Sequence, residues 1–301
     1  MTASAMPPLG LMQWSEGTPG SELVTNVHRV ESLGYAELWL PEIFGREVLS
    51  TCGYLLAKTS RICVSSGIAN VYARDADAAA QAANGLAELS GARFRLGLGV
   101  SHPVLVEPRG HAWEPPVQKM RKYLARMGEA PILSPRASRP APVIVAGHGK
   151  GLLRVARDLA DGAFLFLQPI ESVRMAREIL GPGKELHVTL RCVLDPNPAT
   201  ARDLARRACA FYIGLPAYHA RWGELGYTSA DWTGGGSDRL IDAICAWGDA
   251  ETLRARIAAL HAAGATHVAL YPCNPDETYT PDNAISMRWH WPLLEALAPG
   301  T

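Results

Sequence analysis

Three short stretches carry residue types that could do chemistry. Gly147-His148-Gly149-Lys150-Gly151 lies between an apolar run and a helical stripe. Three glycines there open the backbone N–H groups to close approach by an anion. The helix N-terminus adds a favourable dipole, and Lys150 adds charge. Phosphate is the natural ligand; the bland reading is a flexible strand-to-helix turn. The second stretch is Ser65-Ser66-Gly67-Ile68-Ala69-Asn70. Small residues at a strand end let a flat group lie against the backbone, or let the backbone bulge; the bland reading, favoured by these residues alone, is a tight turn out of a crowded barrel. The third is the pair His102 and Glu42. A histidine at a strand tip can take or give a proton near neutrality. A carboxylate just after Pro41 has a restricted backbone entry.

Other chemistries find little support. The nine histidines include no H-x-H and no H-E-x-x-H, so no metal site is expected. No G-x-S-x-G nucleophile elbow occurs. His111, Glu114 and Glu107 fall in a Pro-rich loop, where they either line an entrance or are solvated. Trp289, His290 and Trp291 read as packing, because no basic groove accompanies them. The six cysteines are far apart in sequence and form no C-x-x-C, which suggests reduced thiols in a cytoplasmic chain.

These residues need a scaffold, and the chain supplies an alternation. Strands are predicted at Leu9–Trp14, Ala36–Leu40, Ile62–Gly67, Phe94–Val100, Val143–Ala146, Ala163–Leu167, Leu186–Leu194 and His267–Cys273. Helices fall between them, with N-caps expected at Ser21, Asp75 and Asp249 and stops at Gly34, Gly91 and Gly264. Several further helices with turns occupy residues 198–247, and another lies near Trp291–Leu297. The strands are continuous apolar runs, as in a parallel sheet covered on both faces. The expectation is one (β/α)8 TIM barrel spanning 1–301, with a helical insertion before the last strand. An open doubly wound sheet is the alternative. It is weakened because no G-x-G-x-x-G follows the first strand, and the 147–151 turn has Leu152 where a third spaced glycine belongs. In a barrel the strand C-terminal ends face the active site, and all three stretches lie at such ends.

Composition bounds the partners. The 301 residues are 48% hydrophobic and 19% charged, ordinary for a globular chain. Lys+Arg and Asp+Glu are 29 each, so bulk charge favours neither nucleic acid nor an anionic membrane. The start has no basic segment followed by an apolar core, and no window approaches a transmembrane span, so neither signal peptide nor membrane helix is expected. Only five cations are Lys. Arg with abundant Ala and Gly points to a GC-rich bacterial source.

Several stretches together resemble the bacterial-luciferase-like superfamily of flavin and deazaflavin oxidoreductases. They are Gly34–Glu42 (GYAELWLPE), Thr59–Ile62 (TSRI), Leu86–Val100 (LAELSGARFRLGLGV), Pro142–Gly147 (PVIVAG) leading to Leu159–Ala163 (LADGA), and Gly248–Leu270, ending in AGATHVAL. Each is weak; their order and spacing are specific. Within the superfamily, Gly67–Asp75 (GIANVYARD) is similar to members that use coenzyme F420. The resemblance implies a barrel, a bulge after strand three with a non-proline cis peptide at Gly67–Ile68, and a deazaflavin ring against it. Ser66, Gly67, Ile68, Asn70 and Ser101 would contact the cofactor. The Gly147, His148, Gly149, Lys150 and Gly151 turn would take its phosphate and tail. His102 is then the expected acid/base, and Glu42 a positioning group or proton relay.

Two departures limit the transfer. Some F420 dehydrogenases of the superfamily carry Asp-His at the tip of strand two, where this chain has Glu42-Ile43, and an acid at the tip of strand four, where it has Ser101-His102. Their sugar-phosphate mechanism is not carried over. The expected activity is hydride transfer between F420 and a small organic substrate, in a homodimer. An FMN-dependent monooxygenase is the alternative, and a non-catalytic cofactor-binding barrel is the alternative of another class.

Overall fold

The computed structural model describes residues 9–280 and 285–299. The stretch read above as lacking a leader therefore falls, up to position 8, outside the described residues. Nine parallel strands form: β1 Leu9–Met12, β2 Glu37–Leu40, β3 Cys63–Asn70, β4 Leu96–Gly99, β5 Val143–Ala146, β6 Gly162–Phe166, β7 Glu185–Leu194, β8 Cys245–Gly248 and β9 His267–Pro272. Pairings run β1 to β7 in order. β7 then pairs with β9, and β9 with β1, so eight strands close a ring. Closure excludes the open-sheet alternative and establishes a TIM barrel.

The ninth strand was not foreseen. β8 hydrogen-bonds only to the far end of β7, opposite Arg191–Leu194, where β7 extends past the last residue that β6 pairs, Thr189. Its sequence, Cys-Ala-Trp-Gly, is too short for a period-two pattern to stand out. The helical insertion is present as Pro198–Ile213, Pro216–Gly223, Ser229–Trp232 and Asp238–Ile244.

Capping residues set several helix starts as the sequence implied. Asp75 accepts from the Ala78 N–H, and Asp249 from the Thr252 N–H. The cap expected at Ser21 is a correction: the first helix, Gly20–Ser32, starts after Pro19, which makes no side-chain cap bond. Proline fixes φ near the value found there, so the chain enters the helix without a hydroxyl.

The main core lies between strands and helices. A smaller cluster fills the barrel interior, with Trp39, Ile144, Phe164 and Tyr271 at its centre. Trp39 meets Phe164 edge-on at 4.9 Å. The N-terminal end of the ring is polar: Glu37 and Glu185 both pair with Arg95, and His187 bonds Glu185 at 2.7 Å. This network ties β2, β4 and β7 together at the end where barrels usually invest in stability. No helix among the described residues is long and apolar enough to cross a membrane.

Candidate functional site

A chamber of about 640 Å³ opens at the C-terminal end of the barrel. It collects most of the residues singled out in sequence: Glu42, Gly67, Ile68, Asn70, Ser101 and His102 from β2 to β4, and Gly147, His148 and Gly149 from β5. They are up to about a hundred positions apart in the chain. The parallel ring brings them together because it points every strand end the same way.

β3 is the most irregular wall. Its register against β4 shifts between Ser66 and Ala69, and the Gly67–Ile68 peptide is cis. The local glycines explain why the chain can do this. A Cβ on Gly67 would stand 2.7 Å from the Trp39 Cβ. A Cβ on Gly97 would meet the Ser66 carbonyl at 2.1 Å, and one on Gly99 would overlap the Ile68 side chain. The bulge therefore exists because both faces beneath it are stripped to glycine.

Glu42 holds the end of this bulge. Its Oε2 accepts the Asn70 N–H at 2.8 Å and Arg74 Nη1 at 3.0 Å. Its Oε1 pairs with Arg74 Nη2, and Arg74 also pairs with Glu47. The Glu42 and Arg74 side chains are 6% and 10% exposed, so the charges are largely out of water.

His102 and His148 both lie beside the Tyr218 ring. The His148 ring is 5.0 Å from the Tyr218 ring, and the His102 ring 6.3 Å. Burial pushes the His102 pKa down. Burial, with His102 and Arg221 nearby, pushes His148 down to about 3. Both imidazoles are thus neutral at pH 7. The His148 Nδ1 is buried with no hydrogen-bond partner among the described residues. Ser101 takes a left-handed φ of 61° at the β4 tip, unusual for a residue with a side chain.

Three expected residues do not reach the chamber wall. Ser66 is fully buried, and its hydroxyl donates to the Gly97 carbonyl at 3.0 Å. Lys150 starts the helix Lys150–Leu159, but its side chain is 56% exposed and its Nζ lies 3.9 Å from Glu224. Gly151 sits behind the turn, where a Cβ would press on Val117 at 2.7 Å. His111 and Glu114 line a separate recess beside Tyr72 and Lys119. Trp289 and Trp291 stack on each other at 5.5 Å, as packing requires.

The sequence reading missed the aromatic side of the chamber, formed by Phe164, Phe166, Phe211, Tyr212, Tyr218 and Tyr271. Phe164 and Phe166 carried a usable signal, since residues two apart on a strand share a face. Tyr212 and Tyr218 belong to the insertion, whose docking over the barrel no local pattern encodes.

Comparison with known proteins fits this geometry. The chain is 25% identical to the 5,10-methylenetetrahydromethanopterin reductase of Archaeoglobus fulgidus over 302 aligned residues, covering 85% of this chain and 91% of that one. The F420-dependent tetrahydromethanopterin reductase of Methanopyrus kandleri has a similar fold, with TM-score 0.72 at 15% identity over 97% of each chain. An F420-dependent secondary alcohol dehydrogenase, solved with an F420–acetone adduct, superposes with TM-score 0.74 at 14% identity over 90% of this chain and 94% of that one. The luciferase-like monooxygenase family model matches residues 5–267, so the chain belongs to that family.

Proposed function

We propose that the protein is an F420-dependent oxidoreductase acting on a small organic substrate. One observation carries this reading: the β3 bulge at Gly67–Ile68 lines a chamber that also takes in the end of β5, two strands round the ring, where a glycine turn leads into a helix start. A flat ring and a phosphate need those two features in one chamber. Relatives named for F420 add support.

The residues fit such a cofactor. Gly67, Ile68 and Asn70 offer a backbone face to the ring, and Ser101 a hydroxyl beside it. At Gly149 no atom lies within 4 Å of where a Cβ would stand, so the turn has open space for an anion. His148 Nδ1 has no protein partner to displace. The first-turn N–H groups of Lys150 and Gly151 add an oriented dipole. When bound, the deazaflavin supplies hydride transfer at the carbon that replaces the central flavin nitrogen.

This chain's own residues hold the geometry and manage the proton. His102 is neutral and half-buried at the chamber edge, suited to accept a proton from an alcohol and, as the imidazolium, to return it to an alkoxide in the reverse direction. Glu42, with both oxygens engaged, positions the bulge through the Asn70 N–H. The apolar wall excludes water from the reacting pair. The reading includes a homodimer in a bacterial cytoplasm; a monomer at micromolar concentration in light scattering would contradict the dimer.

The test is a fluorescence titration with F420 and FMN in parallel. Micromolar F420 binding with weaker FMN binding is expected. Preference for FMN would replace this reading with an oxygen-dependent one, and binding of neither would favour a non-catalytic barrel.

A further inference from the structure

The part of the chamber away from β3 and the β5 turn is a continuous aromatic belt. Trp14, just past β1, donates its indole N–H to the Tyr271 hydroxyl on β9 at 2.7 Å. The Tyr271 ring is 6.1 Å from Phe166, and Phe166 is 4.7 Å from Tyr212. Tyr212 lies 6.0 Å from Tyr218, which stands beside His148.

Charge has been kept off this belt. Among the described residues, no lysine or arginine lines the chamber. The buried Arg191 lies 3.7 Å from the Tyr271 ring centroid and donates to the Ala208 carbonyl at 2.6 Å, and the buried Arg221 is paired with Glu224. Tyr271 lines the chamber and Arg191 does not, so the phenol ring covers the guanidinium. The one carboxylate lining it among the described residues, Glu42, is paired with Arg74. Asn70 and Ser101 lie on the β3–β4 side, and the Trp14 indole and Tyr271 hydroxyl bond each other, which leaves the Tyr212 and Tyr218 hydroxyls and two neutral imidazoles facing the belt. Neither hydroxyl hydrogen-bonds to a described residue, and both residues line the chamber.

The single feature that welcomes an anion is the β5 turn, which the proposed cofactor's phosphate takes. A substrate carboxylate or phosphate on the belt would then be desolvated without a counter-charge, which is strongly unfavourable. A neutral oxygen needs only a hydrogen bond, which Tyr212 or Tyr218 can donate. Rings stack on such a wall through offset and edge contacts.

We infer that the substrate is a neutral, ring-sized, mainly apolar molecule with a carbonyl or hydroxyl oxygen, seated on the Trp14–Tyr271–Phe166–Tyr212 belt. This rests on the F420 reading, which leaves the belt to the substrate. F420 binding is therefore measured first, and its failure would count against that reading. The F420-loaded protein is then titrated calorimetrically with cyclohexanone and cyclohexenone, and with cyclohexanecarboxylate and cyclohexyl phosphate. At least one neutral ring should bind about tenfold or more tighter than both anions. Tyr212→Phe should weaken the neutral ligand about three- to tenfold while F420 affinity holds. Phe166→Arg, checked for folding by circular dichroism, should shift preference toward the carboxylate. With F420 bound normally, anions binding as tightly as the neutral rings, or neither neutral ring binding at millimolar concentration, would overturn the inference.

Discussion

The Glu42 carboxylate accepts the backbone N–H of Asn70 at 2.8 Å, joining the tip of β2 to the far end of the β3 bulge. The same carboxylate pairs with the largely buried Arg74. Charge and bulge are thereby coupled: the group that fixes the backbone is itself fixed by a cation. Glu42→Gln keeps the shape but removes the charge, leaving Arg74 with Glu47 alone. A stability loss of about 1–3 kcal/mol is expected in urea unfolding. F420 affinity should fall, while the pH profile of turnover keeps its shape, because Glu42 positions and does not carry the proton. A lost limb in that profile would assign it the proton instead.

The glycines of the β5 turn separate folding from binding. At Gly149 a Cβ meets nothing within 4 Å, so Gly149→Ala should melt like the parent. Its methyl would nonetheless occupy the anion's approach, and F420 affinity should fall on the order of tenfold. At Gly147 a Cβ would stand 2.4 Å from the Leu152 Cβ, so Gly147→Ala should cost about 1–3 kcal/mol. Equal F420 affinity in Gly149→Ala and wild type would remove the turn from the site.

His102 makes a signed prediction. Burial lowers its pKa, so it stays an unprotonated base below the usual histidine range. In the direction that oxidises an alcohol, kcat/KM should fall on acidification along a limb below about pH 6.5. His102→Gln should abolish that limb and lower kcat/KM by about 10²-fold or more. A limb above pH 7, or an unchanged variant, would exclude His102 as the base.

The polar end of the barrel sets acid stability. Burial, with His187 and Arg95 close by, pushes His267 down to about 3. Burial opposes ionisation of Glu185, yet His187 and Arg95 hold it down to about 2. Each group binds its proton more readily unfolded than folded, so acid favours unfolding. From about pH 6.5 to 4.5 the histidine contributes; below about 4.5 Glu185 joins it. A fully neutral buried histidine loses up to about 1.4 kcal/mol per pH unit in the first window. His267→Gln should flatten the decline of the melting temperature there. An unaltered slope would place the acid sensitivity elsewhere.

The barrel was legible because strand apolarity and helix periodicity agree throughout, and because Asp75 and Asp249 announce their helices by capping chemistry. The run Ser66-Gly67-Ile68-Ala69-Asn70 by itself reads equally as a tight turn; the bulge came from the resemblance of Gly67–Asp75 to F420 enzymes, and sequence could not reveal that Gly97 and Gly99 on the next strand make room for it. That pairing is tertiary. Lys150 reads as an anion ligand in a linear sequence, but the helix it begins turns its side chain outward. The aromatic belt was the largest omission. Tyr212, Tyr218 and Tyr271 reach one wall only after the insertion folds over the ring, and β8 forms only where β7 outruns β6.

The most direct test follows a labelled hydride without oxygen. Reduced F420, deuterated at the carbon that replaces the central flavin nitrogen, is incubated anaerobically with the protein and the neutral cyclic ketone that binds best. Deuterium on the product's carbinol carbon, with stoichiometric oxidation of F420, is the predicted result. Turnover that occurs only with reduced FMN and consumes oxygen would contradict it and make the protein a monooxygenase.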